Sequence, residues 1–260
     1  MKKTYLILIL FLIVIIGGIY LFTKKDNNKT MIETSQTTEV TQNALVKIIP
    51  ISHATAVINW GDKNIYTDPV GGAEAFMGQP PADIILLTDI HSDHLDDETL
   101  EKVLGWAVLV TPQAVRDKLP KALANKVQVM KNSEMKTFDE FTVTAIPMYN
   151  IPESATAPHT KGRGNGYVVE KDGFRVYIAG DTSGIPEMRV LEDIDITLIP
   201  MNLPYTMSVE EAADAVLAFK PKQVWPYHYR GPDGLSDVVR FKTLVNQSDP
   251  NIEVILAKWY

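Results

Sequence analysis

Four potential metal ligands lie within six consecutive residues of this chain, namely Asp89, His91, Asp93 and His94. They follow an apolar run at residues 84–87 and precede a stretch with helical spacing. Because α/β folds place ligands at the carboxyl ends of their strands, this loop stands where a binding site is expected. Imidazole and carboxylate groups bind zinc, iron and manganese, and a tight loop can direct several of them at two neighbouring ions.

The order of strands and helices along the chain indicates how this loop is held. A first series of strands is predicted at residues 45–51, 54–60, 64–67 and 84–87, before a helix at 96–104 and a helix start at Thr111-Pro112. A second series is predicted at 141–146, 166–170, 175–179 and 196–199, before a helix at 208–219, a strand at 223–225, a helix at 236–246 and a strand at 253–257. Two such series predict an α/β fold in which two sheets pack face to face with helices outside, a four-layer αβ/βα sandwich.

The ligand loop resembles the metal-binding signature of the metallo-β-lactamase superfamily, whose usual form is His-x-His-x-Asp-His, with Asp89 in place of the first histidine. Other motif pieces follow in the expected order: Tyr66-Thr67-Asp68-Pro69, His159, Gly180-Asp181-Thr182 and His228. Further pieces resemble one branch, the L-ascorbate-6-phosphate lactonase-like proteins and, more distantly, the N-acyl phosphatidylethanolamine phospholipase D-like enzymes: Ser52-His53-Ala54-Thr55, Gly166-Tyr167, Tyr205-Thr206-Met207 and Glu210-Glu211-Ala212-Ala213. The resemblance covers residues 45–258 and implies a sandwich of the metallo-β-lactamase type.

The resemblance also implies a set of ligands for two divalent ions. One ion would be held by Asp89, His91 and His159, the other by Asp93, His94 and His228, and Asp181 would bridge them. Asp68 would orient the ligand loop through hydrogen bonds. Asp93, Asp181 and His53 are the expected catalytic residues. Further candidates for the substrate pocket are Tyr149, Asn150, Arg163, Asn202, Tyr205 and Tyr229.

The chain lacks the usual protein nucleophiles, since it has no cysteine and no Gly-x-Ser-x-Gly sequence. A hydroxide that bridges two divalent ions needs no such nucleophile, because the ions acidify water and polarise the oxygen under attack. We therefore expect a binuclear metal-dependent hydrolase that acts on a small ester, lactone or phosphodiester. The substrate would be a small molecule, in one interpretation lipid-derived.

Asp89 changes the charge expected at this site. A third carboxylate among the ligands lowers the net charge of the loaded centre by one, so anions should be attracted less strongly. Zn²⁺ is the ion that the family implies, but Mn²⁺ or Fe²⁺ becomes plausible because carboxylate suits these ions better.

Other functions are alternatives to hydrolysis. A di-iron oxidoreductase on the same fold is one alternative, although no flavin-binding segment follows the domain and no Glu stands in the ligand loop. A non-catalytic metal-binding protein is another. With a net charge of −7, nucleic acid is a disfavoured partner, which also argues against a nuclease.

The N-terminal segment differs in composition from the rest. An uncharged run at residues 5–22 would span about 27 Å as a helix, close to the hydrocarbon thickness of a bilayer. Residues 1–23 are therefore expected to be a membrane anchor, or alternatively a signal segment, and polar residues 24–44 a linker to the hydrolase domain at 45–260. This implies a membrane-anchored protein with its catalytic domain outside the cytoplasm.

Overall fold

The first half of the described chain forms a six-stranded sheet. The structure is a computed structural model and describes residues 46–260. The strands lie side by side in chain order: β1 (Val46–Ser52), β2 (Thr55–Trp60), β3 (Lys63–Thr67), β4 (Ile84–Leu86), β5 (Val108–Thr111) and β6 (Val127–Val129). Strands β3 to β6 are parallel, so their carboxyl ends share one edge of the sheet. Asp68 and the Asp89 loop follow β3 and β4 and therefore meet at that edge.

The second half forms a seven-stranded sheet and a separate short hairpin. Its order is β15-β12-β11-β10-β9-β8-β7. These strands are β7 (Met135–Phe138), β8 (Phe141–Met148), β9 (Gly164–Lys171), β10 (Phe174–Ile178), β11 (Ile196–Pro200), β12 (Gln223–Tyr227) and β15 (Glu253–Val254), and the hairpin is β13 (Arg230–Gly231) with β14 (Gly234–Leu235). Strands β10, β11, β12 and β15 are parallel, which brings Asp181 and His228 to one edge after β10 and β12.

Helices occupy the connections between these strands. They are α1 (Asp97–Val103), α2 (Gln113–Lys118), α3 (Lys121–Ala124), α4 (Pro186–Arg189), α5 (Val209–Phe219) and α6 (Val238–Ser248), with a short 3-10 helix at Ala73–Phe76. The Asp96 side chain accepts a hydrogen bond from the Thr99 amide at the start of α1, and Ser208 accepts one from Glu211 at the start of α5. These caps satisfy amide groups that have no partner within the helix and so determine where each helix begins.

The two sheets pack against each other through aromatic side chains. The Trp60 ring of β2 contacts Phe141 and Phe174 of the second sheet, at centroid distances of 5.3 and 5.5 Å. On the other face of the first sheet, Leu100 and Leu104 pack in one buried apolar cluster with side chains of the strands. The predicted mixed α/β sandwich is confirmed.

Several predicted boundaries differ from the structure. Strands β5, β6 and β7 are absent from the prediction, because they have only three or four residues each. Thr111 was predicted to cap a helix but ends β5, where its backbone pairs with β6, and Pro112 is the N-cap instead. The last strand covers two residues rather than 253–257.

The expectation of a membrane-anchored protein is corrected. Within residues 46–260, no helix is long and apolar enough to cross a membrane. The longest helices there, α5 and α6, have 11 residues each, about half of the roughly 20 that a bilayer requires. The predicted anchor or signal segment at residues 1–23 and the linker at 24–44 lie outside the described residues.

Candidate metal centre

The predicted ligands come together where the carboxyl edges of the two sheets meet. The first sheet supplies the loop after β4, and the second supplies Asp181 after β10 and His228 after β12. His159 comes from the long connection between β8 and β9. Three groups of possible ligand atoms result, each with all atoms within 4.8 Å, and the last two share His228: Asp89, His91 and His159; His94, Asp181 and His228; His53, Asp93 and His228.

Asp181 stands between the first two groups. Its Oδ2 lies 3.2 Å from His159 Nε2 and 3.4 Å from His94 Nε2. Its Oδ1 lies 3.4 Å from His228 Nε2. One carboxylate therefore faces histidines that were assigned to different ions.

Asp93 and Asp89 each approach one of these groups. Asp93 Oδ2 lies 3.3 Å from His228 Nε2, and Asp93 Oδ1 lies 3.9 Å from His94 Nε2. Asp89 Oδ2 lies 3.7 Å from His159 Nε2 and 2.6 Å from His91 Nδ1. The last distance is that of a hydrogen bond rather than of two ligands on one ion.

The donor set fits divalent metal ions. Ligands about 2.1 Å from a tetrahedral ion lie about 3.4 Å from each other, close to most of the distances above. Among the described residues, His159 Nε2 and Asp181 Oδ1 are also buried without a hydrogen-bond partner. Leaving such atoms unsatisfied is costly, and a bound cation would satisfy both.

A buried carboxylate orients one histidine of the centre. Asp68 Oδ2 lies 2.9 Å from His94 Nδ1, and Asp68 accepts hydrogen bonds from the backbone amide and hydroxyl of Thr88. A proton on Nδ1 that points to Asp68 leaves the Nε2 lone pair free for a metal ion. This contact agrees with the orienting role predicted for Asp68.

His159 has comparable partners, whereas His228 does not. His159 Nδ1 lies 3.1 Å from the Tyr205 carbonyl oxygen and 3.2 Å from Asn150 Oδ1, both hydrogen-bond acceptors. His228 Nδ1 lies 3.1 Å from Asn202 Nδ2, which donates to it. Nε2 of each ring lies 3.2 to 3.4 Å from an oxygen of Asp181.

Opposite charges determine the protonation of the metal-free site. Burial alone would raise the pKa of Asp181, but His228 and His94 outweigh it and hold that pKa well below 3.8. Burial alone would lower the pKa of His94, but Asp181 and Asp68 raise it well above 6.5. His94 therefore carries a proton at neutral pH that a metal ion must displace.

His53 lies beside the centre and has a partner that the sequence did not reveal. Its Nδ1 lies 2.8 Å from the Tyr260 hydroxyl, and its ring is 4.5 Å from the His228 ring. Burial and His228 lower the pKa of His53 to about 4, so the ring is neutral at pH 7. Tyr260 is far away in sequence and belongs to no motif, so only the fold could identify it.

A cavity of about 390 Å³ opens onto the ligands. Its lining residues are His91, Ser92, Asp93, Pro158, His159, Asp181, Asn202 and Tyr205. Of the predicted pocket residues, Asn202 and Tyr205 are part of this lining, whereas Asn150 lies behind His159. The Tyr149 hydroxyl instead donates a hydrogen bond to the Glu187 carboxylate, and the Tyr229 hydroxyl points to the Ala257 carbonyl oxygen. Ser92 and Pro158 were not predicted.

Known proteins are similar to this chain in sequence and in fold. The family described as a beta-lactamase superfamily domain matches residues 47–228. A UPF0173 metal-dependent hydrolase of Thermococcus onnurineus is 31% identical over 82% of this chain and 97% of its own. One of Pyrococcus furiosus is 33% identical over 78% of this chain and 93% of its own. The crystal structure of a protein from Parabacteroides distasonis, assigned as a metal-dependent hydrolase, is 35% identical with a TM-score of 0.70, over 81% of this chain and 91% of that one.

Fold, site and relatives together define a metal-dependent hydrolase. The chain belongs to the metallo-β-lactamase superfamily. The prediction of a metal-dependent hydrolase is thus confirmed, and the relatives give no support to the di-iron oxidoreductase or the non-catalytic protein over the hydrolase.

Proposed function

We propose that this enzyme is a binuclear hydrolase of a small ester, lactone or phosphodiester, with the four-layer αβ/βα arrangement that the sequence predicts. The observation that carries the proposal is the position of Asp181. Its two oxygens face histidines of both ligand groups at 3.2 to 3.4 Å, as a bridging carboxylate requires. Zn²⁺ is the first choice of ion, with Mn²⁺ or Fe²⁺ as alternatives because Asp89 adds a carboxylate.

The residues around the ions have separate tasks. Two divalent ions held by these ligands would supply a nucleophile from water at neutral pH and would polarise the oxygen under attack. Asp93 and Asp181 hold the site together from both sheets. His53 has a ring nitrogen within 4.8 Å of ligand atoms of Asp93 and His228. Its pKa is lowered to about 4, so its task at pH 7 is to orient Asp93 or a substrate group through a hydrogen bond of the neutral ring, not to accept a proton.

The cavity supports the choice of a small substrate. Its volume of about 390 Å³ lies within the range of small-molecule sites. Its lining combines the ligands with the Ser92 hydroxyl, the Asn202 amide and the Tyr205 ring. Such groups can orient the polar end of a small or lipid-derived molecule.

The proposal is tested by metal analysis and hydrolysis on the full chain. We expect about two ions per chain, and we expect turnover of at least one compound in a panel of carboxylic esters, lactones, phosphodiesters and N-acyl phospholipids. Chelation should abolish turnover, and added Zn²⁺, Mn²⁺ or Fe²⁺ should restore it. One ion per chain, or turnover that survives complete removal of metal, would contradict the binuclear hydrolase.

A further inference from the structure

The third carboxylate of the centre is paired with an arginine. Arg163 Nε lies 3.3 Å from Asp89 Oδ1, and Arg163 Nη2 lies 3.2 Å from Asp89 Oδ2. The Asp89 side chain is fully buried and the Arg163 side chain is 20% exposed. A guanidinium that contacts both oxygens of a buried carboxylate is a strong, charge-assisted pair.

The guanidinium is also held in place from its other side. Arg163 Nη2 donates a hydrogen bond to the Pro158 carbonyl oxygen at 2.5 Å. Pro158 precedes His159 and lines the cavity together with it. Arg163 therefore keeps its charge at a fixed distance from the ligands. No lysine or arginine is among the described residues that line the cavity.

This pair changes the charge that the sequence predicts for the centre. Two divalent ions with three carboxylates retain one positive charge, whereas a histidine at position 89 would leave two. The positive charge of Arg163 raises the sum back to two. The centre thus keeps the charge of the usual family signature although its first ligand is an aspartate.

We propose that Arg163 is a charge-compensating residue, which offsets Asp89 and preserves the attraction of the loaded centre for anionic groups. The inference rests on the two-ion centre proposed above. It assigns to this chain a site that accepts an anionic substrate group or an anionic transition state, contrary to the weaker attraction expected from Asp89 alone. Arg163 acts through Asp89 and does not itself need to touch the substrate.

The experiment measures the affinity of the metal-loaded full chain for inorganic phosphate by calorimetry, at equal metal content in all variants. Arg163→Met should weaken phosphate binding about tenfold, and Asp89→Asn should strengthen it by a similar factor, since each changes one unit charge near the anion. The double variant should lie within about threefold of the unaltered protein, because both charges are removed together. Arg163→Lys loses the two-point contact with Asp89 but keeps the positive charge, so phosphate affinity should also stay within about threefold.

The metal content of the variants shows whether Arg163 compensates the charge of Asp89 or only holds the metal ligands in position. Removal of a cation does not weaken the binding of other cations, so Arg163→Met should retain about two ions per chain. Unchanged phosphate affinity in Arg163→Met, or loss of its ions, would overturn the inference while the binuclear proposal stands. Failure of the unaltered protein to bind ions would overturn both. Arg240→Met, which breaks the exposed Arg240–Glu210 pair, is the matched control and should change neither quantity.

Discussion

Asp181→Asn is expected to reduce turnover by on the order of 10³-fold or more, because several kcal/mol of electrostatic stabilisation depend on the ions that Asp181 holds. Asparagine preserves the shape of the side chain but removes the negative charge that faces His94, His159 and His228. We also expect the variant to retain fewer ions per chain. The measurements are kcat on a substrate found in the panel, and metal content after dialysis.

A second buried aspartate provides the control for this variant. Asp195 lies at the opposite edge of the same sheet, just before β11, and accepts a hydrogen bond from the Arg175 amide. Asp195→Asn should affect folding as much as Asp181→Asn or more, but it should leave kcat per bound pair of ions unchanged. If Asp181→Asn retained both ions and more than about a tenth of the turnover, Asp181 would not be the bridging ligand.

Metal affinity is expected to rise with pH. In the metal-free protein the pKa of His94 is raised well above 6.5, so an entering ion must displace its proton. Below that raised pKa, each pH unit should tighten binding by about tenfold for each proton released. The dependence should level off once pH exceeds the raised pKa. Competition with a chromophoric chelator between pH 6 and 9 measures it.

The stability of the metal-free protein should change with pH in the opposite direction. A raised pKa means that protonated His94 stabilises the fold fully below 6.5, and that this contribution is lost as pH rises through the higher folded value. Asp181 behaves conversely, since its lowered pKa gives a contribution that is present above 3.8 and lost only at lower pH. Thermal unfolding after chelation should therefore occur at lower temperature at pH 9 than at pH 6. A metal affinity independent of pH would show that His94 is not protonated in the metal-free site.

Much of the sandwich could be predicted because its strands are local patterns. The strands β1 to β4 and β8 to β12 coincide with apolar runs in the sequence, and the Ser208 capping motif marks the start of α5 correctly. Strands β5 to β7 could not be found in this way, since they have only three or four residues each, too few to show a clear pattern.

The ligand groups could be predicted because the motifs carry them, whereas their electrostatic partners could not. Arg163 is 74 residues from Asp89, and Tyr260 is 207 residues from His53. Nothing in local spacing connects such pairs, because the contact arises only when two sheets meet at one edge. A net charge calculated from the ions and ligands alone therefore omits the positive charge of Arg163.

The most direct test of the two-ion centre is anomalous diffraction at the metal absorption edge, from crystals of the loaded protein. Two peaks are predicted, one near Asp89, His91 and His159 and the other near Asp93, His94 and His228, each about 2.0–2.3 Å from its ligand atoms. Asp181 should lie between them with an oxygen on each. A single peak, or two peaks that do not share Asp181, would contradict the binuclear centre.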